Sequence, residues 1–336
     1  MQIKGKIEKK FIQWVLIAKG VGIILVVIGH FSPESSPAYW NVVNKMIYTF
    51  HMPLFFILSG YLFHSGRYSY PELLKAKTRR LLLPFVTIAG TFLLIKLTAA
   101  QVVTLEYPVS LSSIQALLTN PVRSYMPLLW FIHALYLIFV IYPLARLIMS
   151  DEIMILVLLA FNTVSGSHIW VFGSVLAYMP FFLFGIVLRE KRGFSRLIMK
   201  KGWLPLLAPL GLFFLMYRFF LPACESTGFE YLVRILLGIT GSILVINFSR
   251  ALSLHTADKT GVLGTLGYYS MSIYLFHTLF ESTVRIGFAK ISKYFQVPFE
   301  PVALIAVFCG LLFPFILEKY VLRRYSLTRK FVLGLS

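Results

Sequence analysis

Apolar runs of about twenty residues recur along this chain, separated by short polar segments. A helix crossing a bilayer needs about 20 apolar residues, so each run reads as a membrane span. The expected spans are about 11–31, 44–63, the stretch LLLPFVTIAGTFLLIKL, 126–147, 153–171, 174–189, 203–220, 230–249, 268–287 and 300–318. Between them lie a short loop, SPESSPAYW, and a basic segment, HSGRYSYPELLKAKTRR, expected to be partly helical from Pro71. The longest loop, QVVTLEYPVSLSSIQALLTNPVRSY, is expected to dip back toward the membrane around Ser112–Leu118, and a tight turn holds Gly173. The first apolar run follows a basic stretch, but Lys19 interrupts it and no small-x-small cleavage site follows, so it reads as a retained span. No internal repeat, low-complexity segment or linker appears. Residues 1–336 therefore read as one all-α integral membrane domain of about ten transmembrane helices.

Composition agrees: 58% of residues are hydrophobic, 13% are charged, and mean hydropathy is +0.79. The net charge of +19 would suit nucleic acid, so the placement of the basic residues decides its meaning. They crowd into alternate segments: MQIKGKIEKK, HSGRYSYPELLKAKTRR, REKRGFSRLIMKKG and EKYVLRRYSLTRKFVLGLS. The opposite loops hold Lys45, Arg123, Lys290 and Lys293. That asymmetry places both termini in the cytoplasm, accounts for the charge, and leaves no role for nucleic acid. Cys224 and Cys309 lie far apart, with neither metal-type spacing nor a disulfide framework.

Against this background the polar residues inside spans stand out. Lys19 and His30 sit eleven residues apart on one stripe of the first span, with Ile23 and Val26 between them. Their axial separation is roughly 16 Å. His51 lies near the start of the second span, just before Pro53. The orientation puts both histidines in the outer part of the membrane and Lys19 toward the cytoplasm. A charged side chain in a span costs about 2.5–3.5 kcal/mol on insertion scales, so an intramembrane ionisable group reads by default as functional. The bland alternatives are interhelical hydrogen bonding for the histidines and snorkelling for Lys19. In the ninth span Ser270, Tyr274, His277, Glu281 and Arg285 form a polar stripe, readable as an acceptor site or as a structural Glu281–Arg285 pair. Trp130 suits stacking on a sugar or anchoring at the interface. Arg79 and Arg80, at the cytoplasmic start of the third span, suit phosphates, but taken singly each reads first as a topology signal.

The segments KGVGIILVVIGH (Lys19–His30), FHMPLFFILSGYLF (50–63), KAKTRRLLLPF (75–85), LLWFIHALYLIF (128–139) and LGYYSMSIYLFH (266–277) occur in an order that resembles the acyltransferase family 3 membrane O-acyltransferases. The resemblance is to the fucose 4-O-acetylase-like branch in particular, and it spans nearly the whole chain. Many members have arginine where Lys19 stands; lysine keeps the cation and loses the planar fork.

The resemblance implies transfer of an acyl group, usually acetyl from acetyl-CoA, to a sugar hydroxyl of an envelope glycan or lipid-linked glycan. It implies a multi-pass protein of the inner (plasma) membrane, in contact with lipid and with glycan-synthesis machinery. A histidine is suited to removing a hydroxyl proton during attack, which makes His30 the expected general base, with a covalent acyl-histidine as the variant. His51 is expected to orient His30 or to steady the oxyanion. Lys19, Arg79 and Arg80 are expected on the acyl-CoA path, and Trp130, His277 and Glu281 at the acceptor. Intramembrane ionisable groups also mark transporters, so a polysaccharide exporter or proton-coupled transporter is the competing reading, and a membrane subunit that only holds a glycan-synthesis partner a weaker third.

Overall fold

The computed structural model describes residues 2–34, 36–64, 66, 68–101, 107–165, 173–198, 202–224, 229–255 and 261–335. Arg67, His168, Lys200, Lys201 and Lys259, part of the longest loop and the end of the 153–171 span lie outside the described residues. Every regular element among the described residues is helical. The first half carries α1 (Gln2–His30), α2 (Ala38–Leu62), α3 (Tyr70–Lys77), α4 (Leu83–Ala99), α5 (Leu111–Thr119), α6 (Trp130–Ala145), α7 (Asp151–Ser165) and α8 (Gly173–Glu190). The second half carries α9 (Arg192–Ile198), α10 (Leu207–Leu215), α11 (Leu221–Cys224), α12 (Glu230–His255), α13 (Gly261–Tyr268), α14 (Ser270–Ile291), α15 (Phe299–Ile316) and α16 (Ser326–Phe331). A π-helical turn at Thr78–Leu82 joins α3 to α4.

Among the described residues, eight helical segments are long and apolar enough to cross a membrane. Of the remaining expected spans, α7 is described over 15 residues, and the 22-residue α14 carries the polar stripe. Several helices outrun their apolar cores. The second begins at Ala38 rather than near 44, because its first turn is tied down by polar bonds that hydropathy does not register. Trp40 Nε1 donates to the Phe31 carbonyl at 2.7 Å, Tyr39 OH to Glu300 Oε1 at 2.7 Å, and Asn44 Nδ2 to Ser32 Oγ at 2.6 Å. The expected helix after Pro71 is present. Proline in the first turn suits its fixed φ, and Ser69 and Glu72 close a capping box, with Ser69 N–H donating to Glu72 Oε2 at 2.9 Å.

The chain divides into two compact units, residues 1–59 with 188–319, and residues 60–187 with 320–336. In the first, α1 is the common neighbour of α12, α13, α14 and α15. Small residues allow the tightest crossing. A methyl on Gly20 would land on the Leu263 carbonyl, and one on Gly267 on the Leu16 carbonyl. Close backbone approach through small residues is how helices associate where lipid tails offer no hydrophobic driving force. Beyond it Phe31, Phe288, Phe299 and Ala306 close one apolar cluster, and Phe213, Met216, Val233 and Leu237 another.

In the second unit Phe63, Phe139, Tyr142 and Phe182 pack with ring centroids 5.3–5.9 Å apart, some pairs edge to face and some tilted. Lys77 Nζ sits 3.5 Å above the Phe139 ring, a cation–π contact for a lysine inside a helix. At the far end of α4, Lys96 Nζ donates to the Tyr125 carbonyl at 2.6 Å and the Tyr107 carbonyl at 3.0 Å, clasping both ends of the loop that carries α5.

Replacing Gly267 with alanine forces backbone apart at the α1–α13 crossing. The expected cost is at least about 3 kcal/mol, read as a lowered unfolding temperature in detergent and reduced membrane level. Gly90, with nothing within reach of an added methyl, is the control and should tolerate alanine.

Candidate active site

His30 is the last residue of α1 and is half-buried. Eighteen residues on, Tyr48 of α2 brings its hydroxyl to 3.4 Å from His30 Nδ1, with ring centroids 5.9 Å apart. His51, three residues later on the same helix, lies nearly perpendicular to Tyr48 at 4.9 Å. From α14, His277 brings its ring to 5.1 Å from that of His30. Three histidines far apart in sequence therefore share one corner of the first unit, with Tyr48 between two of them. His51 and His277 are buried.

Each buried imidazole spends one nitrogen on its own helix. His51 Nδ1 lies 2.9 Å from the Ile47 carbonyl, and His277 Nδ1 lies 2.9 Å from both the Ile273 and Tyr274 carbonyls. A carbonyl only accepts, so Nδ1 carries the proton in both rings and Nε2 presents a lone pair. The acceptor at His51 is not the one Pro53 sets free, which is the carbonyl of Thr49, four residues before the proline. His277 Nε2 is buried without a hydrogen-bond partner.

Glu281, one turn beyond His277, is also buried, and its Oε1 has no hydrogen-bond partner. Arg285 is within electrostatic reach of it. The carboxyl fits because α15 has Gly310 opposite: a methyl there would stand 3.0 Å from Glu281 Oε1 and 2.9 Å from Val27 Cγ1. Val27 is one turn before His30, so α1, α14 and α15 converge on Glu281. No group of three or more histidine, cysteine, aspartate or glutamate side chains among the described residues is arranged to hold a metal ion.

Lys19 is half-buried on α1, and Ile23 and Val26, on the stripe between it and His30, are fully buried. The remaining expected residues belong to the second unit. Arg79 and Arg80 lie in the π-helical turn, where Arg79 Nη2 donates to the Leu335 carbonyl at 3.3 Å and Arg80 Nη1 to the Leu333 carbonyl at 3.0 Å. Gly334 makes this possible: its φ is +61°, and a Cβ there would stand 2.5 Å from the Arg79 carbonyl. Trp130 opens α6 and packs on Tyr178 at 4.9 Å. His133 lies beside Phe85, ring centroids 6.0 Å apart. Tyr48 and Gly310 were not singled out by the sequence, although Tyr48 stands at i−3 from His51, a spacing that puts both on one helix face.

A multi-pass helical protein with a histidine cluster inside its spans is the class that fold and site define. Residues 12–319 match the acyltransferase 3 family, whose description is an acyltransferase domain. The chain belongs to that family. A segment of 76 residues is 40% identical to "Nodulation protein NolL" of Mesorhizobium japonicum (strain LMG 29417 / CECT 9101 / MAFF 303099), covering 20% of this chain and 20% of that one. No solved structure matches.

Gly310→Ala tests the convergence on Glu281. A methyl so close to a buried carboxyl should cost about 1–3 kcal/mol. Thermal unfolding of the purified protein should show it, and Gly310→Ala with Glu281→Ala should recover part of the loss.

Proposed function

We propose that this acyltransferase moves an acyl group, acetyl in the first instance, from cytoplasmic acyl-CoA to a sugar hydroxyl of an envelope or exported glycan, with His30 as general base. The observation that carries the reading is the setting of His30. Its Nδ1 faces a hydroxyl, that of Tyr48, from a half-buried helix end, so a nitrogen and an O–H already meet at the place where a base would work. A base must come within about 2.6–3.2 Å of the proton it takes, and contacts of this kind tighten when substrate binds.

Atoms balance simply. The acceptor hydroxyl gives its proton to His30 while its oxygen bonds the acyl carbon. The carbon–sulfur bond then breaks, and the proton leaves with the CoA thiolate as thiol. His51, with its tautomer fixed by Ile47, is placed to support the cluster through Tyr48. Lys19 supplies a cation farther down α1, suited to pantetheine amides or phosphate on the donor path. Arg79 and Arg80 are cations of the kind that suits the CoA phosphates. Trp130 offers an aromatic face to a sugar, and Glu281 a buried polar atom to the acceptor side. The fucose 4-O-acetylase-like motifs favour acetyl as the acyl group and a lipid-linked or exported glycan as the acceptor. The excess of lysine and arginine in alternate segments favours both termini in the cytoplasm, and the family resemblance favours the inner membrane with glycan-synthesis machinery close by.

The test compares O-acetyl content of surface glycan in cells carrying the wild-type protein, His30→Ala, or no copy. Membrane level of the protein and total surface glycan are measured alongside. With the protein present and glycan normal, His30→Ala should lower acetylation about 10²–10⁴-fold, the usual contribution of a general base. Acetylation unchanged while surface glycan falls would replace the enzyme reading with a transporter.

A further inference from the structure

His277 spends its Nδ1–H on two carbonyls of its own helix, so its Nε2 can only accept a hydrogen bond. That acceptor is buried and unfilled. Leaving a buried acceptor unpaired is costly, whereas an apolar ring of the same shape carries no such cost. A residue kept only for packing at this position has no need of the second nitrogen.

The neighbouring imidazole is that of His30, with centroids 5.1 Å apart and planes at 57°. His30 directs Nδ1 toward Tyr48 on α2, which leaves its Nε2 for another partner. Ring centroids at this separation are compatible with a nitrogen–nitrogen hydrogen bond between the two imidazoles. The His277 lone pair lacks a donor, and His30, in the tautomer protonated on Nε2, would have an N–H to give it.

We propose that His277 is a positioning residue for His30, its Nε2 accepting the Nε2–H of His30 and so holding the tautomer whose Nδ1 is the base. The inference rests on His30 being that base. During attack the acceptor proton moves to His30 Nδ1, and His30 carries protons on both nitrogens until the thiolate takes one away. His277 gains and loses no proton. It accepts the same Nε2–H throughout, and more strongly while His30 is cationic, because a charged donor roughly doubles the strength of the bond. A base held in the wrong tautomer can lose about 10⁴ in kcat, so a device that fixes the tautomer has a large effect on rate.

The test uses full-length protein in membrane vesicles that contain the endogenous glycan acceptor, with labelled acetyl-CoA as the probe. His30→Ala, His277→Phe and His277→Gln are compared at equal protein level. His277→Phe should lower the maximal rate about 10²-fold with the KM for acetyl-CoA unchanged. His277→Gln, whose amide oxygen can accept the same N–H, should recover to within about tenfold of wild type. In parallel, ¹⁵N-histidine spectra of the purified full-length protein report the His30 tautomer, its signals being identified by their loss in His30→Ala. Wild type should carry the His30 proton on Nε2, and His277→Phe should show a mixture of tautomers. Wild-type turnover in His277→Phe overturns the proposal, as does a His30 protonated on Nδ1 in the wild-type spectrum. The spectrum decides the matter even where the phenylalanine variant fails to reach the membrane. If His30→Ala itself keeps full acylation, the general-base reading fails instead, and the two failures are told apart.

Discussion

A buried imidazole in a membrane span finds hydrogen-bond acceptors chiefly on its own helix. His51 and His277 meet that constraint in the same way, each giving Nδ1–H to a carbonyl four residues back. The helix thereby chooses the tautomer, and the choice costs no additional side chain. What remains is an Nε2 lone pair aimed away from the helix axis, toward whatever the neighbouring helices bring. His30 is placed differently. At the end of α1 it is half-buried, and its Nδ1 faces a hydroxyl on α2 rather than a carbonyl of its own turn. The cluster thus joins two rings with backbone-fixed tautomers to one ring, that of His30, whose Nδ1 faces a side chain.

The cluster depends on helices approaching more closely than ordinary side chains permit. Gly20 and Gly267 bring α1 and α13 together, and Gly310 lets Glu281 lie between α14, α15 and α1. Lipid gives helices little reason to associate, so close contact between small residues does that work. The same contacts hold α1 in place, and α1 carries both Lys19 and His30. A methyl added at Gly267 would act on this corner through the position of α1, and one at Gly310 by meeting Glu281 directly.

Much of this was legible in the chain. Long apolar runs announce helices, and a histidine among them is conspicuous, so His30, His51, His277 and Glu281 could be picked out before any coordinates. Their convergence could not. His30 and His277 are separated by about three quarters of the chain, and nothing in their local spacing says that their rings meet. Tyr48 escaped notice because a tyrosine near the end of a span is ordinary. Gly310 escaped because it is one of 22 glycines, and what singles it out is a carboxyl on another helix. Arg79 and Arg80 were legible as cations at a helix start. Their bonds to the carbonyls of Leu335 and Leu333 depend on a π-helical turn and on a chain end that returns to meet it, and hydropathy records neither.

Lys96 carries a consequence of a different kind. With one ammonium group it holds the carbonyls of Tyr107 and Tyr125, so the segment between them begins and ends at a single point. A loop closed at its base is entropically insulated from the helices it joins, and lengthening it costs only about 0.6 kcal/mol per doubling. Losing the Lys96 ammonium would therefore release both ends of the Pro108–Ser124 segment at once.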